Sequence, residues 1–246
     1  MGNITRKLVT LTLFFFIFTR FIFAEDSLSK ARKLFLKGEY EKAILISEQI
    51  KTSEAKVFQS RVISIYTHFY KNSEQAKKSY LNSYKVSKEA ISLDKNNAEA
   101  YVEAAHSLGR YGQEIGIMAA ITKGIADRVK KYLDTALLIN NENIIANLSK
   151  GIWHAEIVNQ AGKTIAKAVY GASANKARSH FKKVVKLNSK EIGILYEISY
   201  GYYLLGTPQD IKLSLSYLTQ ILNINDTSHL DSLYREKAIT LRNKVL

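Results

Sequence analysis

One proline, Pro208, in 246 residues is the feature that most narrows what this chain can become. Proline lacks an N–H and clashes with the preceding turn, so a chain nearly free of it has little to stop a helix once begun. Abundant Ala, Leu, Lys and Glu add helix propensity. The expectation is an all-α protein of one or two domains, long enough to bury a sizeable core. The absence of cysteine excludes disulfides, thiolate metal sites and a lipid-modified N-terminal cysteine.

The first residues read as an address. Arg6-Lys7 precede the apolar run LVTLTLFFFIFT, and RFIFA follows before Glu25. This order describes a secretory signal peptide over residues 1–24, cleaved near Ala24, and an exported, periplasmic protein. An uncleaved anchor is the rival reading. Arg20 inside the run weighs against it, since a charge near the bilayer centre costs roughly 2.5–3.5 kcal/mol. The formal charge is +14; residues 1–24 hold Arg6, Lys7 and Arg20 and no acid, leaving 14 − 3 = +11 for residues 25–246. Dispersed lysines of this kind fit solvated helix faces. No arginine-rich block or nucleic-acid signature appears, so specific nucleic-acid binding is not expected.

Within 25–246 a repeat is hidden by insertions. In LFLKGEYEKAI, Gly38, Tyr40 and Ala43 interrupt the charges as a helix–turn–helix crossing requires: two small residues and an aromatic that fills the gap. A β-carbon on Gly38 is expected to hinder the crossing. SKEAISLDKNNAEAYVEAA (87–105), YLDTALLINNENIIANLSKG (132–151) and FKKVVKLNSKEIGILYEIS (181–199) align with one another. Each has a small or β-branched anchor (Ala90, Ala136, Val184), a turn rich in Asn and Lys, then a new amphipathic helix. SYLTQILNINDTS adds a weaker fourth anchor at Ile221.

This grammar resembles the tetratricopeptide repeat (TPR), with Lys95, Asn141, Ser189 and Asp226 where the usual repeat places a proline. The anchors lie 46, 48 and 37 residues apart against about 34 in that repeat. The surplus falls in GQEIGIMAAITKGIADR (112–128) and VNQAGKTIAKAVYGASAN (158–175), whose Ala, Gly and Ile content predicts lengthened helices with an ordered connection. LGRYG, GIMAAITKGIADRVKKYLDTALLINNEN, GIWHAE and IAKAVYGASANKARSHF together look like the helical core of regulator-of-microtubule-dynamics-type proteins. KARSHFKKVVKLN through EKAITLRNKVL resembles, more loosely, the periplasmic T component of tripartite ATP-independent (TRAP) transporters. Members of that family are typically lipoproteins, which a chain without cysteine cannot match. Both resemblances imply a TPR-like solenoid of four to five degenerate helix pairs, and neither implies catalysis.

The ends fit a stack. Thr207-Pro208-Gln209-Asp210 supplies an N-cap, a proline in the first turn and an acid three residues on; Ser228 to Asp231 repeats the capping pattern. The last helix sets Leu230, Leu233, Leu241 and Val245 opposite charge, as a terminal capping helix must.

Chemistry is sparse. His68, His106, His154, His180 and His229 show no metal-ligand spacing; Glu156 lies on a different side of the helix from His154. LGRYGQEIG has no phosphate-loop context, no nucleophile motif occurs, and YGAS (170–173) reads as a turn before a helix over 174–187. No catalytic residue, metal or cofactor is expected. In TPR arrays the first helix of each pair lines a concave surface. That register places His106 and Arg110, then Leu148, Ile152 and Glu156, then Tyr196, Tyr200 and Tyr203 in a groove. The tyrosines share one helical face and suit peptide or small amphipathic ligands, or else simply pack against the terminal helices. The reading is an exported non-catalytic scaffold for a protein or peptide. The alternative is a solute-uptake accessory of the TRAP type, holding a small organic ligand in an aromatic-lined channel near Trp153 and Tyr200. The basic surface also permits peripheral attachment to an anionic membrane.

Overall fold

The computed structural model describes residues 24–187 and 190–246, with the side chains of Ile117 and Met118 set aside. Residues 1–23, which carry most of the expected signal peptide, and Ser189 lie outside the described residues. The described residues hold twelve helices and no strand. In chain order they are α1 (24–36), α2 (Tyr40–Glu48), α3 (Ser53–Tyr70), α4 (Ser73–Leu93), α5 (Ala98–Ile115) and α6 (Ile117–Thr122). There follow α7 (Ile125–Ile139), α8 (Ile144–Tyr170), α9 (Ala174–Lys186), α10 (Ile192–Leu205), α11 (Pro208–Leu222) and α12 (His229–Val245). No helix among the described residues is long and apolar enough to cross a membrane.

Side chains cap most of these helices at the start. Thr52, Asn72, Asn97, Asn143, Ser173, Thr207 and Ser228 each accept a backbone N–H two or three residues on. Each such cap is worth about 1 kcal/mol over alanine. The aligned turns are alike in atomic detail. Asp94 N donates to Ala90 O and Asn97 N to Asp94 O; Asn140 N donates to Ala136 O and Asn143 N to Asn140 O. The two Asn caps are 143 − 97 = 46 positions apart, the anchor spacing read from sequence.

Five pairs stack in sequence: α1/α2, α3/α4, α5/α7, α8/α9 and α10/α11, followed by α12. The four anchors (Ala90, Ala136, Val184, Ile221) and Ala43 are fully buried at helix contacts. Where α3, α4 and α5 cross, serines replace apolar side chains. Ser83 Oγ lies 2.9 Å from Ser60 Oγ and 2.7 Å from Ser107 Oγ, so close packing and polar satisfaction coincide.

Three local expectations need correction. Gly38 does not mediate a crossing of α1 and α2. It has φ +81 and closes α1 with paired bonds, Gly38 N to Phe35 O and Glu39 N to Leu34 O, and a Cβ there would meet His229 of α12. The insertion at 112–128 forms a separate short helix, α6, because Gly116 (φ +85) breaks the chain after α5. The insertion at 158–175 does lengthen α8, but Gly162 (φ 73, ψ 161) interrupts it.

The stack also closes on itself. α12 packs on α10 and α11, as a terminal cap should, and it also reaches the first repeats. Tyr70 OH lies 2.8 Å from His229 Nε2, the Phe69 and Tyr234 rings meet edge-on at 5.3 Å, and Leu233 packs on the cluster of Leu28, Tyr40 and Phe58. Through α3–α5, α5–α8, α8–α10, α10–α12 and α12–α3 the inner helices make a complete circuit.

Candidate functional site

Six of the eight expected groove residues stand half-buried on the inner side of this circuit. Arg110 of α5 is the hub: Nη2 donates to Glu197 Oε1 of α10 at 3.3 Å, and Nη1 donates to Gln113 Oε1 at 3.3 Å. Gln113 in turn donates to Glu156 Oε1 of α8, which also accepts from Tyr200 OH at 3.5 Å. His106 sits one turn before Arg110 on the same face. Tyr196 and Tyr200 are nearly parallel with centroids 6.5 Å apart, and Tyr203 continues the stripe 6.4 Å beyond. The stripe also packs on α12: Tyr196 lies 5.5 Å from Tyr234, and Lys244 Nζ sits over Tyr203.

Leu148 and Ile152 are different. They belong to the cluster around Phe181, Ala155 and Ile198 between α8, α9 and α10, so they hold helices together and do not face the groove. Trp153 is likewise core. It packs with Leu108, Ile125 and Leu133, and its Nε1–H donates to Ala126 O at 3.1 Å, so the aromatic channel expected beside it is not formed there.

Electrostatics mark the inner face as poorly hydrated. Burial, reinforced by Arg110 and Lys237, pulls His68 down to about 2; burial, Arg110 and Arg61 pull His106 down to about 3. Both rings are therefore neutral at physiological pH. Burial raises Glu156, with Arg110 opposing, and pushes Tyr196 up to about 12. Arg110 faces Glu156 and Glu197, and Lys237 faces Glu197, so these two cations and two carboxylates balance, with tyrosine rings and hydroxyls between. Among the described residues no group of three or more His, Asp or Glu is placed to hold a metal.

His68, weighed in the sequence only as a metal ligand, joins this face together with Phe69, Gln113, Glu197, Tyr234 and Lys237, none of which the repeat register assigns to the groove. One had a legible signal: Glu197 is the sole charge in α10, IGILYEISYGYYLL, and a lone charge in an apolar helix needs a partner. The remaining histidines lie elsewhere. His154 and His180 stack at 5.8 Å between α8 and α9, and His229 bonds Tyr70.

An all-α array of antiparallel pairs with inner-helix residues gathered on one face defines a TPR-like helical-repeat protein. The family model described as regulator of microtubule dynamics protein 1-3 matches residues 27–245, and the chain belongs to that family. Among solved structures it is similar to a thermophilic TPR protein of Thermus thermophilus, at 13% identity and TM-score 0.61. That match covers 88% of this chain and 99% of the other. Comparison with curated proteins returns no match. Neither match supports the looser resemblance to the TRAP T component.

Proposed function

We propose that the protein is a non-catalytic scaffold that holds an extended segment of a protein partner along its inner face. The observation that carries this reading is the convergence of Arg110, Glu156 and Glu197 from three successive repeats, flanked by Tyr196 and Tyr200. Balanced charge, ring faces and hydroxyls suit the amides of a peptide better than a strongly charged ligand. Placement in an exported compartment follows from the N-terminal address and is part of the proposal.

A photoreactive residue at Tyr200, compared with one at Lys85 on the outer helix α4, tests the groove. A partner peptide recovered from position 200 and not from position 85 supports it; the same adducts from both positions, or adducts from position 85 alone, refute it. For export, the N-terminus of protein recovered from fractionated cells is decisive. Glu25 in the envelope fraction is expected, and an intact residue 1 in the cytosol overturns the localisation.

A further inference from the structure

The two insertions share a construction that the inner-face reading does not use. α6 lies between Gly116 (φ +85) and Gly124 (φ +58); the helical stretch 163–170 lies between Gly162 (φ +73) and Gly171 (φ +65). A Cβ at any of these four glycines would meet nothing within 4 Å, so each is glycine for its backbone conformation alone. Both short helices pack on one cluster through Ala120 and Ala166, forming a single lobe.

What the lobe leaves outside is unusual. Ile121, Ile165 and Val169 are 51%, 55% and 66% exposed. Lys123, Lys163 and Lys167 are exposed beside them. On 163–170 the buried Ala166 points inward; Ile165 and Val169 line one flank a turn apart, and Lys163 and Lys167 line the other. No Asp or Glu occurs in 115–126. None occurs in 157–190 either, a stretch that carries eight Lys and Arg. A chain with 22 acids overall places none in either of these two stretches; the acids flanking the first are Glu114 and Asp127.

We infer that this lobe docks on an anionic lipid surface. Aliphatic side chains beside lysines on a short helix are the make-up of an interfacial element: the branched tips enter the headgroup boundary, and the lysine stems reach around to the phosphates. The three exposed lysines of the two segments complement anionic headgroups. A protein partner would be served better by aromatic or arginine anchors, and none of the exposed tips is either. The inference depends neither on the inner-face reading nor on export.

The test is co-sedimentation of the full chain with vesicles of phosphatidylcholine containing phosphatidylglycerol, against vesicles of phosphatidylcholine alone. Binding to the first only, weakened by salt, is expected. Lys163→Gln/Lys167→Gln should lower the partition coefficient roughly 30-fold, taking about 1 kcal/mol for each lysine. Ile165→Ser/Val169→Ser should lower it without changing the salt slope. All four positions are exposed, and an unchanged thermal midpoint confirms that the variants fold. Sedimentation with neither vesicle, equal sedimentation with both, or binding that the variants leave intact overturns the inference; in the first case the lobe falls to a protein partner.

Discussion

Gly201→Ala is the substitution whose outcome the packing determines most sharply. Phe181 of α9 is fully buried, with its ring wedged between α8 and α10. A Cβ on Gly151 would stand 2.5 Å from Phe181 Cε1; a Cβ on Gly201 would stand 2.8 Å from Cε2, closer still to Cζ, and 3.0 Å from Ile152 Cδ1. The ring is held from both sides, so it cannot retreat from one glycine without striking the other. Alanine in a helix interior gains roughly 1 kcal/mol over glycine, whereas forcing an overpacked core typically costs about 1–3 kcal/mol, sometimes more. With the ring caged, a net loss of about 2 kcal/mol is expected. In a Phe181→Leu background the obstructing ring edge is gone, and Gly201→Ala should become neutral or slightly stabilising. The coupling in the double-mutant cycle is then about 2 kcal/mol, read from urea unfolding followed by far-UV circular dichroism. If the two changes add to within about 0.5 kcal/mol, the wedge does not hold these helices as described.

Three further outcomes follow. Arg61 bonds Glu99 at 2.5 Å and the buried Glu103 at 2.7 Å, so Arg61→Met strands a carboxylate and should cost about 3 kcal/mol in urea unfolding; a loss under about 1 kcal/mol refutes this, and Glu103→Gln should restore part of it. Burial holds His68, His106, His154 and His180 at about 2, 3, 3 and 4, below the 6.5 of the free side chain. As pH falls below 6.5 the unfolded chain therefore takes up protons first. Stability is complete above that point and declines below it, by about 1.4 kcal/mol per pH unit for each ring. Equal urea midpoints at about pH 7.5 and about pH 5.5 contradict this, and His154→Gln should flatten the slope. Gly38→Ala meets both a left-handed backbone (φ +81) and His229; adding His229→Ala should relieve the contact and leave only the backbone strain of about 1–2 kcal/mol, measured by thermal unfolding.

The repeat was readable because its determinants are local. An anchor such as Ala90 or Ala136, an Asn cap seven residues later and a new amphipathic run lie within one turn of chain, and the same bonds recur in the structure. The inner face was readable in part. Spacing of four residues shows that His106 and Arg110 share a side, but only neighbouring helices decide which side looks inward. α8 carries side chains packed on several elements, so Leu148 and Ile152 met α9 and α10 and not the groove. The return of α12 was not legible: His229 and Tyr70 are 159 positions apart, and nothing near either residue names the other. Gly38 stands out in the sequence, but what a Cβ there would meet is that distant His229 ring and not the neighbouring helix the local pattern points to.

That long-range junction changes what kind of object the array is. An ordinary solenoid can gain or lose a module at little cost, since each unit answers only to the next. Here the last helix must land on Phe69 and Tyr70, so an added or deleted module would carry His229 and Tyr234 past their targets. The number of modules is thereby quantised, much as strand number is in a closed barrel, and variation between relatives should accumulate within modules and not in their count.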